Sequence, residues 1–312
     1  MGQLGYARDR GRAAATAGLA ALALPMQPVL MTFTAGQVNL LLLLLVLLDL
    51  AGRNRWWTGA GVGLAAGIKL APAIFVVYLL LTRRFRAAAV AVATFGATVL
   101  AGFVALPRDS AAFWSANLAD PARITGDRNA MPSENQSIRG ALARLLGIAD
   151  VPGAVWIPVG VAIALAALWI AVRAHRRNRE LLSLGVVGVA MVLVTPWTWT
   201  HYWVWFIPFL VMAACAAFRA RTWWPAALPA VAYLLLLPWR VGTGRADIPL
   251  VGLVLLPENH SPLVRAPAHA LYVALALALL AISAFRPAWF DPATPADSAP
   301  AGGGSPGSRR HA

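Results

Sequence analysis

Gly59-Ala60-Gly61-Val62-Gly63-Leu64-Ala65-Ala66-Gly67-Ile68-Lys69-Leu70-Ala71-Pro72 lies in an apolar region, residues 58–81, bounded by two basic clusters, Arg53/Arg55 and Arg83/Arg84/Arg86. Basic clusters beside membrane helices mark the cytoplasmic side, so both clusters belong on one side of the bilayer. A single crossing between them would invert everything downstream. The segment itself supplies the remedy: four glycines thin its first half, and Pro72, three residues after Lys69, breaks the helix. Residues 58–81 therefore read as a hairpin of two short helices with its tip at Ile68–Pro72, near the outer face. Helices that stop inside the bilayer are tolerated where they are buried in protein or line a cavity.

Outward from this hairpin the chain alternates apolar runs with short arginine clusters. The runs cover 13–30 (with Pro25 and Pro28), 37–51, 86–106, 153–172, 181–196, 200–218, 223–239 and 266–285. Of the 312 residues 60% are hydrophobic and only 12% charged, against about 25% charged in a soluble domain. Apolar surface must face lipid, which excludes a soluble enzyme and predicts an all-α, polytopic transmembrane protein with roughly eight helical passages and at least one broken helix.

The net charge of +14 would suggest nucleic acid in a soluble protein, but here the arginines write topology, and membrane lipid rather than nucleic acid is the expected partner. If all clusters are cytoplasmic, 17 of 25 arginines lie inside. The outer segments 107–152, 195–201 and 240–265 then carry eight arginines against seven acids. The expected division is a cytoplasmic N-terminus over 1–12, a transmembrane domain over 13–285 with outer loop 107–152, and a disordered cytoplasmic tail over 286–312, rich in Pro, Gly, Ala and Ser. Arg8, Arg10 and Arg12 before an apolar stretch and Ala21-Leu22-Ala23 have the outline of a signal peptide, yet more membrane protein follows rather than a secreted domain. Cys215 is the only cysteine, so no intrachain disulfide forms.

Lys69, the single lysine, is the sharpest candidate for chemistry. An ammonium in an apolar segment needs an anionic partner or a wet cavity, and a lipid phosphate fits; the bland alternative is a lysine that snorkels to the interface. Gln37 and Asn39 precede the leucine run Leu40–Leu48, where they cap a helix or bind sugar hydroxyls. In loop 107–152, Asn135 and Gln136 precede an amphipathic interfacial helix, with Ser133 and Glu134 as its caps or the amides as ligands for sugar or phosphate. His201 lies among Trp197, Trp199, Tyr202, Trp203 and Trp205, an aromatic belt in which an imidazole is either packed, a phosphate ligand or a proton relay. His260 and His269 have no ligand spacing with it, so no metal site is expected. Asp49, at the cytoplasmic end of the leucine run, is expected to pair with Arg53.

Taken together, Gly36-Gln37-Val38-Asn39, Gly61–Pro72, Asn135-Gln136-Ser137-Ile138-Arg139-Gly140 and Pro196-Trp197-Thr198-Trp199-Thr200-His201 resemble glycosyltransferase family 87, the actinobacterial membrane enzymes of GT-C type, over residues 30–285. The resemblance implies transfer of a hexose, mannose first, from a polyprenyl-phosphate-linked donor to a glycolipid or glycan acceptor on the outer face of the cytoplasmic membrane. It implies Lys69 and His201 at the donor phosphate and Gln37, Asn39, Asn135 and Gln136 around the sugar or acceptor. No cofactor or metal is implied, because a cation stabilises the leaving phosphate directly. Two places depart from the pattern. Tyr202 stands where a second histidine is common. The acidic base of GT-C enzymes, after their first helix, has no counterpart, so the chain is expected to lack the N-terminal part, through a misassigned start or as an inactive copy, and the catalytic base is unassigned. A transporter or flippase of lipid-linked substrate is the alternative that broken helices and an intramembrane cation also allow.

Overall fold

The computed structural model describes residues 10–52, 55–117, 130, 132, 134–219, 224–238 and 269–290. Among them the chain is helical, with no strand. Helices α1 (Arg10–Ala23) and α2 (Gln27–Thr34) meet at 75°. Pro28 sits in the first turn of α2, where its missing N–H costs nothing, and the Gln27 N–H donates to Leu236 O at 2.7 Å. The leucine run forms α3 (Asn39–Leu50).

The hairpin is present. Helix α4 (Ala60–Ile68) ends at Lys69, whose backbone is extended (φ −151°, ψ 121°); a 3-10 turn over Ala71–Ala73 then leads into α5 (Ile74–Leu81). Pro72 does not end α4. It opens the return helix, in a first turn that needs no N–H. Direction follows from packing against α6 (Phe85–Ala105): Gly59 faces Ala87, Gly63 faces Ala91 and Gly67 faces Thr98, so α4 and α6 run parallel and α5 must run back between them. A Cβ on Gly63 would lie 2.3 Å from Ala91 O, so only glycine permits this approach. Thr98 is about 20 Å along α6 from Phe85 at ~1.5 Å per residue, so the tip stops about two thirds of the way along that helix.

The base of the hairpin is tied down at several points. The Asp49 carboxylate accepts the Gly59 N–H at 2.9 Å and the Val62 N–H at 3.1 Å, capping α4. Arg53, the partner expected for Asp49, lies outside the described residues. Arg86 donates to Arg55 O at 2.8 Å, which places those two basic clusters at one end.

Beyond α6 come α7 (Pro107–Ala112), a π turn over Phe113–Asn117, and α8 (Ile138–Leu146). Helices α9 (Gly153–His175) and α10 (Glu180–Val194) form an antiparallel pair, and α10 is the central helix, with every residue from Leu182 to Leu193 buried. A 3-10 segment, Thr200–Phe206, leads into α11 (Ile207–Arg219); α12 (Trp224–Leu235) and α13 (Leu271–Phe285) follow, with a final 3-10 turn at Pro287–Phe290. Gly188 of α10 gives room to the Trp205 ring, and Trp203, Phe206 and Tyr272 stack with centroids 4.9–6.0 Å apart.

Among the described residues three helices are long and apolar enough to cross a bilayer: α6, α9 and Thr200–Ala217; the bent α1–α2 pair is a fourth if it counts as one span. Four shorter apolar helices, Asn39–Leu50, Ala71–Leu81, Glu180–Val194 and Leu271–Phe285, accompany them among the described residues. Helices α3, α10 and α13 have 12, 15 and 15 residues, about 18–23 Å, short of a ~30 Å hydrocarbon core. Of the three only α10 is buried along its length; α3 exposes Leu41, Leu44 and Leu48, and α13 exposes Leu277 and Phe285. The expected disordered tail over 286–312 begins with the ordered 3-10 turn at Pro287–Phe290, whose Phe290 is buried against Phe209 at 5.4 Å between centroids; residues 291–312 and 240–265 lie outside the described residues.

Candidate functional site

Three chain segments meet at the tip of the hairpin. Asn39 opens α3, Lys69 closes α4, and Tyr202 projects from the 3-10 segment after the Pro196–Thr198 turn. With Leu42, Pro72, Met191, Val192, Thr195 and Trp205 they line a small cleft. The partly buried Lys69 Nζ donates to Asn39 Oδ1 at 3.3 Å and lies 3.1 Å from the centroid of the Tyr202 ring. Both partners are neutral. Ion pairs such as Arg84–Glu180 and Arg139–Asp150 lie elsewhere, and among the described residues none involves Lys69.

His201 is only 3% exposed, yet neither ring nitrogen has a hydrogen-bond partner among the described residues. Its ring packs edge-on to Tyr202 at 4.8 Å and tilts against Trp199 at 5.6 Å. The Asn39 Nδ2, also buried, has no partner among the described residues. A buried polar group left unsatisfied costs about 1–3 kcal/mol, so Asn39 Nδ2 and the His201 ring are costly features in the neighbourhood of an ammonium that has no anionic partner.

The other amides are placed differently. Gln37 lies on the α2–α3 turn, half-exposed, with Nε2 donating to Ala35 O at 3.3 Å. Asn135 and Gln136 are fully buried and bonded to backbone. Asn135 Oδ1 accepts from Ser137 Oγ at 2.8 Å and the Thr198 N–H at 3.2 Å, while its Nδ2 donates to Ala130 O. Gln136 Nε2 donates to His269 O at 2.6 Å, and its Oε1 accepts the Tyr272 N–H. These two residues bolt the 135–137 segment onto the Trp-rich turn and the start of α13, at the same end as Lys69. The cap of α8 is Ser137, whose Oγ accepts the Gly140 N–H at 3.0 Å, one turn later than the expected Ser133 and Glu134. Leu145 and Leu146 at the end of α8, and Ile148 just beyond it, are exposed, as an interfacial helix requires. Arg144 donates to Pro132 O and Asn135 O; burial lowers its pKa to about 10, so it stays charged at neutral pH.

Sequence reasoning overlooked two features. The ring face of Tyr202 under Lys69 was signalled only by an aromatic beside His201. At the opposite end, Glu180 accepts from Arg84 at 2.8 Å and Tyr78 at 3.1 Å and meets His175 Nδ1 at 2.6 Å, tying the hairpin base to the α9–α10 turn. Its signal was a lone acid within a run of arginines.

With this geometry in place, comparison with known proteins is informative. The family model of glycosyltransferase family 87 matches residues 2–196. The chain is 34% identical over 197 residues to a polyprenol-phosphate-mannose-dependent alpha-(1-2)-phosphatidylinositol mannoside mannosyltransferase of Mycobacterium tuberculosis, covering 63% of this chain and 45% of that protein. It is 35% identical over 230 residues to the protein of the same name from Mycolicibacterium smegmatis (71% of this chain, 51% of that one). A pentamannoside mannosyltransferase of M. smegmatis is 34% identical over 241 residues (74% and 56%). The chain thus spans about half the length of the curated relatives it matches. No solved structure matches. The matched region contains the whole hairpin, Asn39, Lys69 and the 135–140 segment, and on this coverage the chain belongs to glycosyltransferase family 87.

Proposed function

We propose that this chain acts in transferring mannose from a polyprenyl-phosphate-linked donor to a phosphatidylinositol mannoside or similar glycolipid, at the outer face of the cytoplasmic membrane. The observation that carries the reading is the only lysine of the chain, held at a hairpin tip by neutral partners beside an unsatisfied histidine. In the reaction an acceptor hydroxyl attacks the anomeric carbon, the bond from that carbon to the phosphate oxygen breaks, and the hydroxyl proton passes to a base. The electron pair leaves on the polyprenyl phosphate. Lys69 stabilises the negative charge that grows there, in a site from which water is largely excluded. His201 donates a hydrogen bond to the same phosphate. Asn39 offers its unpartnered Nδ2 to the donor, Gln37 flanks the mouth, and Asn135 and Gln136 hold the wall that faces the sugar.

The test is transfer of radiolabelled mannose from polyprenyl-phosphate-mannose to a phosphatidylinositol mannoside by the natural chain in proteoliposomes. Transfer is expected with wild type and is expected to fall about 100-fold in Lys69→Ala. Undiminished transfer by the variant rejects the assignment. Movement of labelled lipid across the bilayer without transfer would replace it with a flippase.

A further inference from the structure

Lys69 is a flexible side chain on an extended residue, and its ammonium carries three donors. Asn39 Oδ1 occupies one, at the long distance of 3.3 Å. The stronger electrostatic partner is the Tyr202 ring, whose negative face lies 3.1 Å from Nζ. The backbone that carries this ring is fixed, and the ring packs edge-on to buried His201 at 4.8 Å between centroids. The Tyr202 N–H donates to Trp199 O at 3.0 Å, and the flanking Trp203 and Trp205 are buried in the core. The cation is mobile by nature and its partner is not.

Resting on the reading of Lys69 as the donor-phosphate cation, we propose that Tyr202 is a positioning residue for the lipid-phosphate donor: its ring face holds the Lys69 ammonium in the cleft and aims it at the phosphate. The physical reason is that a ring attracts a cation without neutralising it. A carboxylate at the same place would satisfy Lys69 and repel the phosphate. An aliphatic side chain would leave the ammonium to swing away toward solvent. The ring removes the conformational cost of ordering Lys69 when the donor arrives and leaves the full positive charge available. The ring is the active element and the phenol hydroxyl is dispensable, so Tyr202→Phe should behave as wild type.

Because Lys69 is the only lysine, the contact can be read directly. Reductive methylation with 13C-formaldehyde labels one side chain and the N-terminus, distinguished by a Lys69→Arg control, and dimethylation keeps the charge. In wild type and Tyr202→Phe the Lys69 methyl resonance should be shifted upfield by the ring current. It should return to the free position in Tyr202→Leu, and polyprenyl phosphate without sugar should move it in wild type. In the transfer assay Tyr202→Leu should raise KM for polyprenyl-phosphate-mannose about tenfold with kcat within about twofold, the size of a desolvated cation–π contact. An unshifted methyl signal in wild type overturns the proposal without any variant. So does an unchanged KM in Tyr202→Leu while Lys69→Ala is inactive, a result that leaves the donor reading intact. Undiminished transfer by Lys69→Ala instead overturns the donor reading.

Discussion

The two ends of the hairpin treat charge in opposite ways. At its base, both carboxylates are enclosed by donors: Glu180 takes Arg84, Tyr78 and His175, and Asp49 takes two backbone N–H groups. At its tip, Lys69 meets an amide oxygen and a ring, and the ring nitrogens of His201 meet no hydrogen-bond partner among the described residues. A closed arrangement serves stability. An open one, kept inside a packed protein at a cost, serves a ligand.

The largest effect is expected from closing the open end. Asn39→Asp would put a carboxylate oxygen where Oδ1 now lies, 3.3 Å from the ammonium. Transfer should fall about 100-fold while the melting temperature holds or rises, as Lys69 gains the partner it lacks. Loss of both activity and stability would show that the tip was already balanced. Opening the closed end should do the reverse. Glu180→Ala strands Arg84 and removes the acceptor shared by Tyr78 and His175, and should cost about 3 kcal/mol in denaturant or thermal unfolding. Donor KM of the surviving folded protein should be unchanged.

Gly63→Leu attacks the wall between the two ends. Its Cβ would meet Ala91 O at 2.3 Å, so α4 must separate from α6, at a cost of about 2 kcal/mol. It should also disturb Lys69, two turns on, and raise donor KM. The smallest effect is expected from Asp49→Ala, which removes the α4 cap for about 1 kcal/mol, seen as a lower melting temperature with donor KM intact.

The hairpin was legible because charge topology is a one-dimensional constraint: clusters at 53–55 and 83–86 cannot share a side across a single span. The glycines are legible as a thinning of its first half, whereas the packing of Gly59, Gly63 and Gly67 against α6 is set by the fold. Asn135 and Gln136 show where such reading stops. As buried amides they fit a sugar site equally well on paper, yet their hydrogen bonds go to Thr198, His269 and Tyr272, as many as 136 residues away.

The sequence by itself determined that this is a helical membrane protein, that residues 58–81 fold back as a hairpin, and that one ammonium sits at the turn. Hydrophobic length, glycine spacing and the cost of a lone cation are all local properties. Only the tertiary structure decided which spans are complete, that Asp49 caps a helix, and that Lys69 rests on Tyr202 rather than on an acid. Partnership depends on distances across the fold. Residues 39, 69 and 202 become neighbours only when α3, the hairpin and the segment after α10 pack together.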